Sequence, residues 1–273
     1  MAPMDADLIY DVGMHQGDDT AAYLEAGYRV VAIEADPTLV AAARDRFAEP
    51  LADGRLTLLD CAIGPENDRR PFWISSNSEY SSFSRQNASK WGTTCHPIEV
   101  RTRRFEDVLE EYGIPYYLKV DIEHADHYCL EALPSSDLPA FLSFEKDRLH
   151  DLLLARDLGY SRFKLIDQET FRQLIHPPEP LAAPKTLWQR LARRLGRLRR
   201  AVTGAPPPEA DVDLPAAPLG DYAYGSSGPF GEKTDGPWRS MEAVALTWLS
   251  FDLGHTGATD PAYEDWFDVH CAR

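Results

Sequence analysis

Positive charge is scarce in this sequence: 28 Lys and Arg stand against 44 Asp and Glu, a formal net charge of −16. Binding along nucleic-acid phosphates needs a clustered positive surface, so a general nucleic-acid binder is not expected. Cysteine is scarce too. Cys61, Cys95, Cys129 and Cys271 stand more than thirty residues apart, which provides neither a CxxC metal pair nor a dense disulfide framework, and reduced thiols are expected. Long apolar runs are absent, and the N-terminal MAPMDADLIYD has no basic region ahead of an apolar stretch. Neither a spanning helix nor a secretory signal is therefore expected, and the expected location is the cytoplasm.

What the sequence has is alternation. With 273 residues and 44% apolar content it can bury one sizeable core. Leu8 to Val12 reads as a strand, Asp18 to Ala26 as a helix, Arg29 to Glu34 as a buried strand, and Pro37 to Phe47 as a helix with proline in its first turn. Further strands are expected at Leu56 to Ala62, Tyr116 to Ile122, Ala140 to Glu145 and Arg162 to Ile166. Helices are expected at Ala125 to Leu133, Leu149 to Leu158 and Met241 to Phe251. Strands alternating with helices imply right-handed crossovers, hence an α/β, doubly wound, mostly parallel sheet covered on both faces. The alternating WFDVHC, Trp266 to Cys271, suits an antiparallel edge strand. The expected organisation is one domain over residues 1–273, with an inserted segment.

Two stretches break the alternation. Residues 63–116 are polar, with one expected strand pair, Phe72 to Ile74 and Ile98 to Arg101, around SSNSEYSSFSRQNASKW. Residues 177–238 are rich in proline and glycine and read as an insertion. The part from Ser75 to Trp91 and the insertion after Pro177 are expected to close over the acceptor site. Within the insertion, KTLWQRLARRLGRLRR (185–200) carries seven basic residues and no acid. Leu187, Leu191, Leu195, Leu198 and Val202 fall at helical spacing, so residues 185–202 read as an amphipathic helix. Three roles are open to it: packing on the protein body, peripheral contact with an anionic membrane or carrier, and a clamp for an anionic acceptor.

The first strand-to-helix turn, DVGMHQGDDT (11–20), carries the most information. In a doubly wound sheet this turn approaches the ligand most closely. Gly13 and Gly17 let backbone approach without a Cβ, but their GxxxG spacing is not the GxGxxG of a pyrophosphate site, and Asp18 and Asp19 would repel phosphate. Glu34, ending the second strand, suits the two hydroxyls of a ribose, and Asp60, ending the third, suits an adenine amino group. A nucleoside held by two acids with a phosphate-free tail has the shape of S-adenosylmethionine.

DVGMHQGDDT, VVAIEADP, LDCAIG, LKVDIEHAD and FLSFE, in this order, resemble the FkbM-type S-adenosylmethionine-dependent methyltransferases of the class I Rossmann-like fold. The resemblance covers about residues 8–166, with SSGPFG and WFDVHCA similar to tail segments of some relatives. It implies cofactor contacts at Asp11, Gly13, Gly17, Glu34 and Asp60, with Asp121 close to the transferred methyl. His15, Thr20 and Cys61, on the same turns, complete the candidate set. The sequence departs from the family at His15, where asparagine is usual, and at His124 and Asp126, where glycine and glutamate are.

Methyl transfer requires in-line displacement at a sulfonium, with the acceptor proton removed and water excluded. Asp121, Glu123, His124 and Glu145 are the candidate catalytic residues, His124 being the candidate base because its ordinary pKa lies near neutrality. Lys119 is unusual on a buried strand and calls for a partner: Asp121, Glu145 or solvent. Asp121, Glu123, Asp126 and Glu145 also offer hard oxygens suited to Mg²⁺, as some related sugar O-methyltransferases use, though without a metal-site spacing. The expected function is O-methylation of a sugar, glycan or other small-molecule acceptor. The alternative from another class is a non-catalytic adenosyl-binding or scaffold protein. A dinucleotide-dependent oxidoreductase is disfavoured by the turn.

Overall fold

Alternate residues of each strand face opposite sides of the sheet, and the apolar pattern follows that period. In the computed structural model, which describes residues 3–175, 226–255 and 266–273, the strands are β1 (Asp5–Val12), β2 (Arg29–Glu34), β3 (Leu56–Asp60), β4 (Ala62–Ile63), β5 (Arg69–Ser75), β6 (Cys95–Arg103), β7 (Pro115–Val120), β8 (Phe141–Glu145), β9 (Arg162–Asp167) and β10 (Phe267–Ala272). The helices are α1 (Asp18–Glu25), α2 (Pro37–Arg46), α3 (Ala48–Ala52), α4 (Arg85–Ala88), α5 (Phe105–Tyr112), α6 (His127–Glu131), α7 (Leu149–Leu158) and α8 (Met241–His255). α2 starts where the sequence marks it: Pro37 occupies the first turn and the Asp36 carboxylate accepts the Thr38 N–H at 2.7 Å.

Seven strands form one sheet in the order β3-β2-β1-β7-β8-β10-β9, parallel except for β10, which runs antiparallel to both β8 and β9. The expected doubly wound, mostly parallel sheet is what folds, with its antiparallel strand one place in from the edge. Leu8, Tyr10, Val12, Val31 and Ile33 face a core closed by α5, α6, α7 and α8. Ile9, Val30, Ala32 and Tyr117 face the other side, closed by α1, α2 and Phe47. Strand order reverses between β1 and β7, so a crevice opens there at the carboxyl ends of the strands.

The polar stretch after β3 builds a second, three-stranded sheet in the order β4-β6-β5, in which β5 and β6 are the expected antiparallel pair. Its apolar face, Ala62, Phe72 and Val100, packs with Ala35, Phe83 and Ile98 beside the end of β2. This fixes the small sheet at the mouth of the crevice.

The expected basic helix at 185–202 lies outside the described residues. Of the insertion after Pro177, residues 226–238 are described, and they pack on the sheet. The Phe230 ring stacks on Tyr117 at 4.2 Å, with Tyr23, Tyr28, Tyr116 and Phe141 around it. Among the described residues no helix is long and apolar enough to cross a membrane. Phe230→Ala should lower unfolding free energy by about 2–3 kcal/mol, somewhat less than for a fully buried ring. Urea unfolding measures it; a change below 0.5 kcal/mol, roughly the scatter of neutral surface changes, would show that this segment does not hold the sheet.

Candidate active site

The β1–α1 turn is shaped from beneath by charge. Asp11 on β1 and Lys119 on β7 are register partners, and both side chains are buried. Lys119 Nζ lies 3.2 Å from Asp11, 3.6 Å from Asp19 and 3.6 Å from Asp121, and donates to the Gly13 carbonyl at 2.9 Å. Burial alone would lower the lysine pKa, but Asp11, Asp121 and Asp19 outweigh it and hold the ammonium charged. The Thr20 hydroxyl donates to Asp11 at 2.6 Å, and the Ser227 N–H donates to both Asp19 oxygens at 3.0 and 2.8 Å. Burial raises Asp19 to about 6. Asp19 therefore does not face a ligand from the turn. Of the alternatives for Lys119, it takes Asp121, together with two further carboxylates, and not Glu145.

Both glycines of the turn have left-handed backbones and are required by neighbours. A Cβ on Gly13 would lie 1.8 Å from the Asp121 carbonyl oxygen, and one on Gly17 would lie 2.7 Å from the Phe47 ring. Gly13 lines the crevice, whereas Gly17 packs outside its lining.

The crevice wall on the β2 side is Glu34. Its carboxylate accepts the N–H groups of His15, Ala35 and Asp36, each at 2.8 Å. Burial raises it to about 7 against those three stabilising bonds. His15 adopts a left-handed backbone (φ 53°), which aims its N–H at Glu34, and its Nε2 lies 2.7 Å from Ser78 Oγ across the mouth. Cys61 lines the crevice beside Glu34, its thiol raised to about 11 by burial. Asp60, in contrast, is exposed, 3.5 Å from Arg44, and outside the lining. Asp11 and Thr20 are likewise outside it, in the buried network.

At the other end, β7 stops at Val120, and Glu123 and His124 both take left-handed backbones (φ 46° and 70°). This double turn leaves Asp121 and Glu123 in the crevice lining but sends His124 out of it. The His124 imidazole pairs with Asp147, and that hydrogen bond raises its pKa. The expectation of His124 as base beside the acceptor thus meets an outward-facing histidine. Burial raises Glu123 to about 7 despite Lys90, 3.5 Å away. Glu145, at the end of β8, lines the crevice and is pushed well up by burial and by Asp121, Glu123, Asp126 and Asp268. Asp126 is a structural carboxylate: it accepts the N–H groups of Ile122 at 3.0 Å and Glu145 at 3.1 Å. Among the described residues no group of three or more His, Cys, Asp or Glu is placed to hold a metal ion.

Sequence reasoning passed over several residues here. Tyr80, Phe83 and Lys90 come from the loop of the small sheet, and Glu169 and Trp266 close the far side. The Ser75 to Trp91 stretch thus reaches the crevice as expected from its length and polarity. Asp268 was legible only as the polar half of an alternating strand, a pattern that usually marks a solvent face.

The sheet order, the switch-point crevice and the acid at the end of β2 define a class I Rossmann-like methyltransferase fold. Residues 11–160, more than half of the chain, match the methyltransferase FkbM domain. The chain belongs to that family. A probable ribosomal RNA small subunit methyltransferase A from Methanospirillum hungatei is 44% identical over 52 residues, 19% of this chain and 20% of that protein. The match thus spans about a fifth of that curated relative. Among solved structures, a precorrin-6y C5,15-methyltransferase from Geobacter metallireducens aligns at 15% identity and TM-score 0.36, covering 59% of this chain and 67% of that one. A TehB-like SAM-dependent methyltransferase from Corynebacterium glutamicum aligns at 13% identity and TM-score 0.33, covering 61% and 72%.

Lys119→Met should destabilise the fold by about 3–5 kcal/mol at pH 8, because it strands buried carboxylates. The cost should shrink toward pH 5, where Asp19, already raised to about 6, takes up a proton in the folded state and part of the uncompensated charge disappears. Denaturant unfolding at both values checks this; a loss that does not change with pH would mean the lysine acts only by filling space.

Proposed function

We propose that this chain transfers a methyl group from S-adenosylmethionine to a hydroxyl of a sugar, glycan or other small-molecule acceptor. The observation that carries the reading is the Glu34 carboxylate: three backbone N–H groups fix it in the crevice wall at the switch point. A carboxylate at the end of the second strand suits the hydroxyls of a ribose, which supports the reading. Gly13 and Asp121 lie at the tail end of the same crevice, over the Lys119 network, and the phosphate-free character of the turn suits an amino-acid tail. S-adenosylmethionine supplies an electrophilic methyl on a sulfonium. The remaining work falls to the chain: Asp121 faces the transfer region, and Glu123 and Glu145 are carboxyls with raised pKa values at the end where an acceptor enters. Glu123, held at about 7, is suited to take a hydroxyl proton near neutral pH. The small sheet and its Ser78 to Lys90 loop limit the access of water.

The outward turn of His124 favours the second reading, an adenosyl-binding protein without catalysis. Glu123 and Glu145 weigh against it, because they leave proton acceptors in the crevice. Isotope-labelled S-adenosylmethionine incubated with a panel of hydroxyl-bearing sugars and glycans separates the two; label recovered on an acceptor oxygen is expected, and cofactor binding without transfer to any acceptor supports the second.

Glu34→Gln should weaken S-adenosylhomocysteine binding by about 1.5–3 kcal/mol, as for hydrogen bonds to a charged group. The pH dependence has a definite sign. Glu34 is held near 7 in the free protein and must be ionised to accept both hydroxyls, so wild-type affinity should fall as pH drops below about 7 and level off above it. The amide introduced by the substitution cannot titrate, so the variant's affinity should be nearly flat with respect to this group. Calorimetry from pH 5.5 to 8.5 measures both; a wild-type profile as flat as the variant's removes Glu34 from the ribose site.

A further inference from the structure

β8 and β10 pair so that Glu145 and Asp268 stand directly opposite each other. In an antiparallel ladder that puts both side chains on one face, and like charges so placed repel. Glu145 lines the crevice, while Asp268 is only 5% exposed. Among the described residues neither carboxyl has a hydrogen-bond donor or an ion-pair partner. The two lysines of the lining do not fill that role. Lys119 is committed to Asp11, Asp19 and Asp121, and acts on Asp268 only at longer range. Lys90 is committed to Glu123 and lies 4.3 Å above the Tyr80 ring. Glu79 and Glu169 add two more carboxylates to the lining.

Resting on the methyl-transfer reading above, we infer that the acceptor carries a protonated amine, held by Glu145 over Asp268, and that the crevice rejects anionic acceptors. A buried carboxylate pair without a cation is costly, and an occupant bringing positive charge and N–H donors relieves it. Trp266, also in the lining, offers an aromatic surface of the kind that attracts an ammonium. The geometry suits an organic ammonium better than a compact metal ion. Asp126 spends both oxygens on backbone N–H groups, Asp121 faces Lys119, and no three ligands converge among the described residues.

Glucosamine, glucose and glucuronate serve as probes: one ring size carrying positive, no and negative charge. Their binding to the full chain is read by ligand-observed NMR with S-adenosylhomocysteine bound, which removes the sulfonium charge from the comparison. Glucosamine should bind at least about tenfold more tightly than glucose, glucuronate should bind most weakly, and Glu145→Gln should reduce the preference to under about threefold. Asp268→Asn should reduce it in the same direction while leaving S-adenosylhomocysteine affinity within a factor of two. The series is repeated with Mg²⁺ and with EDTA, and the preference should be the same in both. Equal affinities, no detectable glucosamine binding, tighter glucuronate binding, an undiminished preference in Glu145→Gln, or displacement of glucosamine by Mg²⁺ would each overturn the inference. S-adenosylhomocysteine binding is measured first and alone, and its absence overturns the methyl-transfer reading instead, leaving a failure there distinct from a failure of charge selection.

Discussion

Lys119 Nζ sits among three carboxylates and a carbonyl oxygen on a side chain only 3% exposed. Inserting one ammonium into the middle of a parallel sheet costs several kcal/mol unless its partners are fixed around it. The partners come from four places. Asp11 is one strand over, Asp19 is in the first turn of α1, Asp121 follows β7, and the Gly13 carbonyl belongs to the turn itself. Satisfying one cation therefore fixes the position of α1 over the sheet, the path of the β1–α1 turn and the end of β7. Of these, the turn and the end of β7 supply Gly13, His15 and Asp121 to the crevice lining. The geometry of the site follows from charge compensation beneath it, before any ligand contributes.

The same charge connects a segment far away in sequence. Ser227 closes the free side of Asp19 with its N–H, and three residues later Phe230 covers Tyr117 on the strand that carries Lys119. A chain returning from an insertion thus completes the shell of a carboxylate near the start of the fold. Its effect on the crevice is indirect: without that N–H, the buried Asp19 carboxylate would lose two hydrogen bonds and its charge would be costlier to keep beside Lys119.

Most of the architecture was legible because it rests on patterns with a period. RVVAIE read as a buried strand and AFLSFE as a strand, Pro37 marked its helix, and the alternation of elements implied the parallel sheet. At the crevice, Gly13, His15, Glu34, Cys61, Asp121, Glu123 and Glu145 line it, while Asp11, Gly17, Thr20, Asp60 and His124 do not. The second group lies outside the lining for separate physical reasons. Asp11 and Thr20 answer a buried lysine, a demand that spacing does not reveal. Gly17 answers Phe47, thirty positions on, through packing alone. Asp60 stands at a strand end as expected, but β3 is an edge strand and its terminal carboxylate finds Arg44 and solvent. His124 was chosen for an ordinary pKa near neutrality, which carries no information on direction, and the left-handed backbones of Glu123 and His124 turn it out of the lining.

That break also decides which groups can do chemistry. Had β7 continued, the residues after Val120 would have gone on alternating between the two faces of the sheet. The double turn instead removes the histidine to an ion pair and leaves the Asp121 and Glu123 carboxyls in the lining. Burial then acts on the carboxyls at this end in a graded way. Asp126 is met by two backbone N–H groups, Glu123 by a lysine, and Glu145 and Asp268 by neither. Asp126 and Glu123 are both raised to about 7, whereas Glu145 and Asp268 are pushed well up, because desolvation disfavours the charged form wherever nothing replaces water. The crevice is thus polarised along its length. At the β2 end a single acid is fixed by backbone donors, and at the β8 end acids remain whose charge has no answer among the described residues. An occupant that spans it must offer hydroxyl donors at one end and supply positive charge or a shared proton at the other.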